Sequence, residues 1–111
     1  MNEDKRKYPR LNISMLIEYG SKEAFLKDYA LNISGGGLFI TTTNTFPLGT
    51  ELLLRFSLPG IDKMFEIKGE VVWVRNCSDG DNKLPGMGIK FKDIDKETQE
   101  FIIKYVNNKI K

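Results

Sequence analysis

The sequence predicts a mainly all-β domain: a small six-stranded antiparallel β-barrel with one C-terminal α-helix packed on it. Three observations carry this. Apolar residues recur at every second position in several short runs, which is the period of a strand with one buried face. Clusters of Gly, Pro and Asn separate those runs. The one stretch with helical spacing comes last, so strands and helices do not alternate, which argues against a doubly wound α/β fold.

The elements follow in order. An arm over residues 1–11 is polar and charged and contains KRKYPR; the domain proper runs over 12–111. From Asn12 to Tyr19, alternation of Ile13, Met15, Ile17 and Tyr19 predicts the first strand, and Gly20-Ser21-Lys22 a turn. A second strand runs from Phe25 to Ile33, with Phe25, Lys27, Tyr29, Leu31 and Ile33 on one side. Gly35-Gly36-Gly37 breaks it before Leu38–Thr43, a run of strand formers. The loop Asn44–Gly49 leads to Glu51–Leu58, a strand by context, which Pro59-Gly60 ends. Met64–Arg75 is the longest predicted strand, with Gly69 as a bulge or bend. Residues 76–85 are polar loop, and Met87–Phe91 is a last short strand. Asp95 reads as the N-cap of a helix to Lys109, with Phe101, Ile102, Tyr105 and Val106 on one face.

Composition excludes several function classes. The 111 residues fit a single domain, and 41% hydrophobic with 29% charged is ordinary for a globular chain. A net charge of +2 and a pI near 8.6 fall short of the strongly basic face expected of a duplex-DNA binder. A small anionic ligand remains open, since it needs few local cations. There is no histidine, so the usual general base near neutral pH is missing, as are His-containing metal sites and Ser-His or Cys-His nucleophile pairs. No enzyme activity is expected. Cys77 is the single cysteine, so no intramolecular disulfide can form. The polar start lacks an apolar signal segment, and no apolar run approaches the ~18 residues of a membrane span. A cytoplasmic location without membrane insertion is therefore expected, and the Asn-x-Ser sequons at Asn12, Asn32 and Asn76 are read as chance matches.

Two stretches could carry binding chemistry. Arg6 and Arg10 offer planar forks of donors, which suit a phosphate or the edge of guanine. The competing reading is a solvated basic terminus. Asn32 and Ser34, at alternate positions of a strand end, point to one face and can donate and accept hydrogen bonds to a purine. Gly35, Gly36 and Gly37 can take a positive φ and let a ligand approach the backbone. Here the competing reading is a turn that Asn and Ser start and glycines complete.

Taken together, Arg6-x-x-x-Arg10, twenty-one residues, then Asn32-x-Ser34-x-x-Gly37 resembles the paired RxxxR and (D/N)xSxxG signatures of the PilZ domain family. The segments GGGLFI, PLGTELLLRFSLPG, GEVVWVR and GMGIKF are similar to the family's in order and place, so the resemblance spans about residues 5–108. It implies a receptor for the bacterial second messenger cyclic di-GMP, held on the barrel's outer surface with the arginine arm folded over it. By that resemblance Arg6 and Arg10 contact guanine edges and phosphates, and Asn32 and Ser34 bond a guanine from the barrel side. Gly37 keeps the surface open for the base, with Gly35 and Gly36 beside it. Lys5, just before the first arginine, occupies a position that in the family influences whether one ligand or an intercalated pair binds.

The output would run through an unidentified downstream protein. The alternative from another class is a ligand-independent protein-interaction adaptor of the same fold. A third reading is a single-strand nucleic-acid binder using Trp73, Phe39, Phe56 and Phe91 as a stacking platform, against which stands plain core packing of those rings. No DNA or RNA partner is expected. Arg75 and Lys90 could add charge near the ligand, but read first as solvated strand residues, and Glu66 and Glu70 lack metal-ligand spacing.

Overall fold

A computed structural model describes residues 10–21, 24–76 and 84–109. They form six strands and one helix: β1 Arg10–Ser21, β2 Ala24–Ser34, β3 Gly37–Thr41, β4 Glu51–Ser57, β5 Met64–Arg75, β6 Gly86–Lys92 and α1 Lys96–Lys109. All neighbouring strands are antiparallel, and they close in the order β1-β2-β3-β6-β5-β4. Closure is made by β1 on β4 over Ile17–Gly20 and Leu53–Phe56. A closed barrel leaves no free sheet edge where its ladders run, which suits a domain of this size.

The expected alternation places the core. Met15, Ile17 and Tyr19 of β1, Leu52, Leu54 and Phe56 of β4, and Phe65, Ile67 and Val71 of β5 all face inward and are buried. Leu38 and Ile40 of β3 meet Met87, Ile89 and Phe91 of β6 there. Tyr19 is wholly buried, and its hydroxyl donates to Asp28 Oδ2 at 2.6 Å. Burial, and after it this bond to the carboxylate, pushes the Tyr19 phenol up to about 12.

The helix begins where Asp95 predicts: Asp95 Oδ1 accepts from the Thr98 amide at 2.7 Å. The Thr98 side chain first, and its amide after it, hold the Asp95 carboxyl below the usual range by hydrogen bonding. Ile102, Tyr105 and Val106 are buried against the barrel. Phe101 is not: it lies at the edge of that face, packed on Phe65 and under Lys63. Tyr105 donates its hydroxyl to the Pro59 carbonyl at 2.6 Å, tying the helix to the β4–β5 turn.

Three sequence expectations need correction. The first strand begins at Arg10, so Arg10 and the buried Leu11 belong to the barrel wall and not to the arm. The bulge in β5 is not at Gly69, which pairs in register with Leu52 and Phe91; the ladder slips between Val71 and Trp73. Gly69 is small because a Cβ there would press into the Ile89 side chain. Finally, β2 does not keep one alternation. Tyr29 is exposed while Ala30 and Ile33, three apart, are both fully buried. The reset occurs at Asn32, whose φ is 58°. Opposite it the β1 partner changes from Leu11 to Ser14, so β1 carries one extra residue there.

Candidate functional site

The left-handed backbone at Asn32 is the local event that builds the site. Asn and Asp enter that region more readily than other side chains, because their short polar groups can bond locally. Asn32 and Ser34 flank the buried Ile33, and both are half-exposed on the wall. Ser34 Oγ accepts from the Gly36 amide at 3.1 Å and lies 3.5 Å from the Gly37 carbonyl. The serine is thus aimed by the turn that follows it.

None of Gly35, Gly36 and Gly37 is among the glycines with positive φ, contrary to the sequence expectation. Their smallness serves close packing instead. Gly37 pairs with Lys90 of β6, and a Cβ on it would run into the Ile89 carbonyl oxygen. Gly35 is buried, and its carbonyl accepts from Gln99 Nε2 of α1 at 2.9 Å. The Gly36 carbonyl accepts from the Phe91 amide at 2.9 Å.

The register brings the two halves of the signature together. Arg10, the second arginine of RxxxR, is the direct cross-strand partner of Ser34. Arg6 and Lys5 lie outside the described residues, as does Cys77.

The outer wall continues past Gly37 in a way the sequence reading missed. Phe39 and Trp73 each pair with Gly88, from opposite sides, in the β3-β6-β5 stretch of the barrel. Their rings stack at 5.2 Å and 23°. Arg75 sits over both, 5.5 Å from the Phe39 ring and 5.2 Å from that of Trp73, and donates to the Leu84 carbonyl at 2.7 Å. Phe39 is covered, whereas Trp73 is 42% exposed. Phe56 and Phe91, by contrast, are core rings stacked on each other at 6.4 Å. The missed signal was G-x-G in GMGIKF: a Cβ at Gly86 would strike the Phe39 ring and one at Gly88 the Trp73 indole. Lys90, cross-strand from Gly37, is exposed.

Among the described residues no group of three His, Cys, Asp or Glu side chains could hold a metal ion. Glu66 pairs with Arg55 at 3.0 Å and Glu70 with Lys92 at 3.5 Å. No helix among the described residues is long and apolar enough to cross a membrane.

The described residues thus form an antiparallel six-stranded barrel with one helix packed on it and an Asn-x-Ser turn beside an arginine. The PilZ domain profile matches residues 4–108, and the chain belongs to that family. Among solved structures it is similar to the Bacillus subtilis inhibitor of motility MotI/DgrA, with a TM-score of 0.84 and 19% identity over 99% of this chain and 53% of that one. It is also similar to the PilZ domain of Escherichia coli YcgR solved with c-di-GMP (TM-score 0.70, 14% identity, 96% and 95% covered). The PilZ domain of CeSA from a cellulose-synthesizing bacterium matches at a TM-score of 0.62 with 16% identity, covering 92% and 98%. The chain spans about half the length of the MotI/DgrA chain. No curated protein sequence matches.

Proposed function

We propose that the protein is a non-catalytic receptor for cyclic di-GMP. The ligand would lie on the outer wall, between the arginine arm and the Asn32–Gly37 surface. The observation that carries this is the pairing of Arg10 with Ser34 across β1 and β2, which puts a forked cation beside a hydroxyl and a glycine turn. In this reading Arg6 and Arg10 take phosphates and guanine edges, and Asn32 and Ser34 bond one guanine. Gly37 keeps side-chain atoms off the surface while letting β6 close in beneath. Lys5 would affect whether one ligand or an intercalated pair binds. The exposed Trp73 indole, on the same outer wall, offers a second base a place to stack. The match to a PilZ domain solved with c-di-GMP supports the ligand class. The signal then passes to a downstream protein.

Isothermal titration of cyclic di-GMP, with GTP and cyclic di-AMP as controls, tests this. Selective binding is expected, with Arg10→Lys at least about tenfold weaker because lysine cannot make the forked contact. No heat at two temperatures from folded protein would remove the receptor reading. It would favour a ligand-independent adaptor, the second reading. One observation supports that second reading: Leu16 and Tyr29 are cross-strand neighbours on the outer wall, 65% and 53% exposed.

A further inference from the structure

Each of three successive turn residues is pinned, and by a different element. Ser34 is held by its own turn, through the Gly36 amide. The Gly36 carbonyl is held by the backbone of β6, through Phe91. The Gly35 carbonyl is held by a side chain of α1, Gln99, sixty-four residues away in sequence. Gly35 is buried, so its carbonyl needs a protein donor. Gln99 is itself fixed, because its amide closes the first helical turn on the Asp95 carbonyl at 3.0 Å and Asp95 caps that turn through Thr98. The other end of the same helix is fixed to the β4–β5 turn by Tyr105.

From this geometry we propose that Gln99 is a positioning residue of the ligand surface. Its carboxamide sets the plane of the Gly35 peptide, and through it the aim of Ser34 and the path of the turn. The first turn of α1 is therefore energetically linked to occupancy of the site, and the linkage runs both ways. This inference rests on the cyclic di-GMP reading and names the residue through which the site reaches the helix. A carboxamide suits the position, since it donates to a carbonyl and carries no charge into a half-buried place.

The test uses Gln99→Glu, which has nearly the same shape but at neutral pH can only accept. A carboxylate would then face a carbonyl with no proton between them, and the turn would be pushed off its line. Cyclic di-GMP titration at pH 7.5 should show affinity reduced about tenfold or more. As pH falls towards about 4.5 the carboxyl regains a proton to donate, and affinity should climb back towards that of the unaltered protein. Gln99→Met, similar in length without a donor, should be weakened at both pH values. The unaltered protein over the same range corrects for charges on adjoining elements: Arg10 opposite Ser34, Lys90 opposite Gly37, and Asp95 at the helix start. A merely structural defect would not recover on acidification. If the unaltered protein binds and both variants bind equally well at both pH values, Gln99 does not position the site. If the unaltered protein does not bind, the receptor reading fails and this inference falls with it.

Discussion

Two turns of this barrel do the same topological work by opposite means. The β4–β5 turn closes on itself: the Ile61 amide donates to the Leu58 carbonyl at 2.9 Å, Pro59 leads, and Gly60 takes a φ of 86°. That is a type II turn, with proline and glycine where its dihedrals want them. Nothing lies within 4 Å of where a Gly60 Cβ would be. The β2–β3 turn instead has its left-handed residue two positions before Ser34, at Asn32, and its glycines are packed by β6 and α1. The β4–β5 turn closes on its own backbone and takes one outside bond, from Tyr105 to the Pro59 carbonyl. The β2–β3 turn, held from three sides, fixes a surface, and that is where Asn32, Ser34 and Gly37 sit.

Alanine substitutions should separate the two. Gly37→Ala drives a Cβ into the Ile89 backbone carbonyl, which has no flexible end to yield. We expect a loss of about 3 kcal/mol in urea unfolding, with ligand binding lost as β3 is displaced. Gly60→Ala meets open space and is strained only by its φ, so about 1–2 kcal/mol is expected, with binding unchanged. A Gly60→Ala variant that lost binding would erase the contrast between the turns.

Ser34→Ala should be milder in stability and sharper in function. It removes the acceptor of the Gly36 amide, worth about 1 kcal/mol, yet should cost the ligand its hydroxyl contact. Equal affinity by calorimetry would show that Ser34 serves the turn alone.

How much of this was legible in the sequence depends on the physics at each position. Alternation marked β1 and β2, strand-forming residues β3 and context β4, and Asp95 marked the helix start, because burial and capping leave periodic or local traces. The left-handed Asn32 left only a weak trace: asparagine permits that backbone, but the β1 slip opposite it depends on the paired strand. Phe39 and Trp73 read as core residues because an apolar side chain on a strand does not say which face of the wall it occupies. Only their partner glycines on β6 do, and pairing is not visible in one sequence. Nothing in the sequence marks Gln99, since its partner Gly35 lies sixty-four residues away. The paired signature itself was legible, because two short motifs at fixed spacing do not depend on strand pairing; that Arg10 lies opposite Ser34 was not.

The mildest substitution lies on β1, away from the signature turn. Tyr19→Phe removes the bond to Asp28 and should cost about 1 kcal/mol at neutral pH. The tyrosine also shapes the alkaline limb of stability. Its phenol loses a proton near 10 when unfolded but only near 12 when folded. Its contribution is therefore complete below pH 10 and lost as pH rises towards 12. Tyr105, raised by burial as well, adds to the same limb. Urea midpoints against pH should fall less steeply above pH 10 in Tyr19→Phe than in the unaltered protein.

The most direct test is an amide chemical-shift map of the protein titrated with cyclic di-GMP. The largest shifts are expected at Asn32 and Ser34–Gly37, with Gln99 following and Gly60 and Ile61 still. Shifts centred on Leu58–Met64 with the Asn32–Gly37 amides unmoved would contradict a ligand surface built on the signature turn.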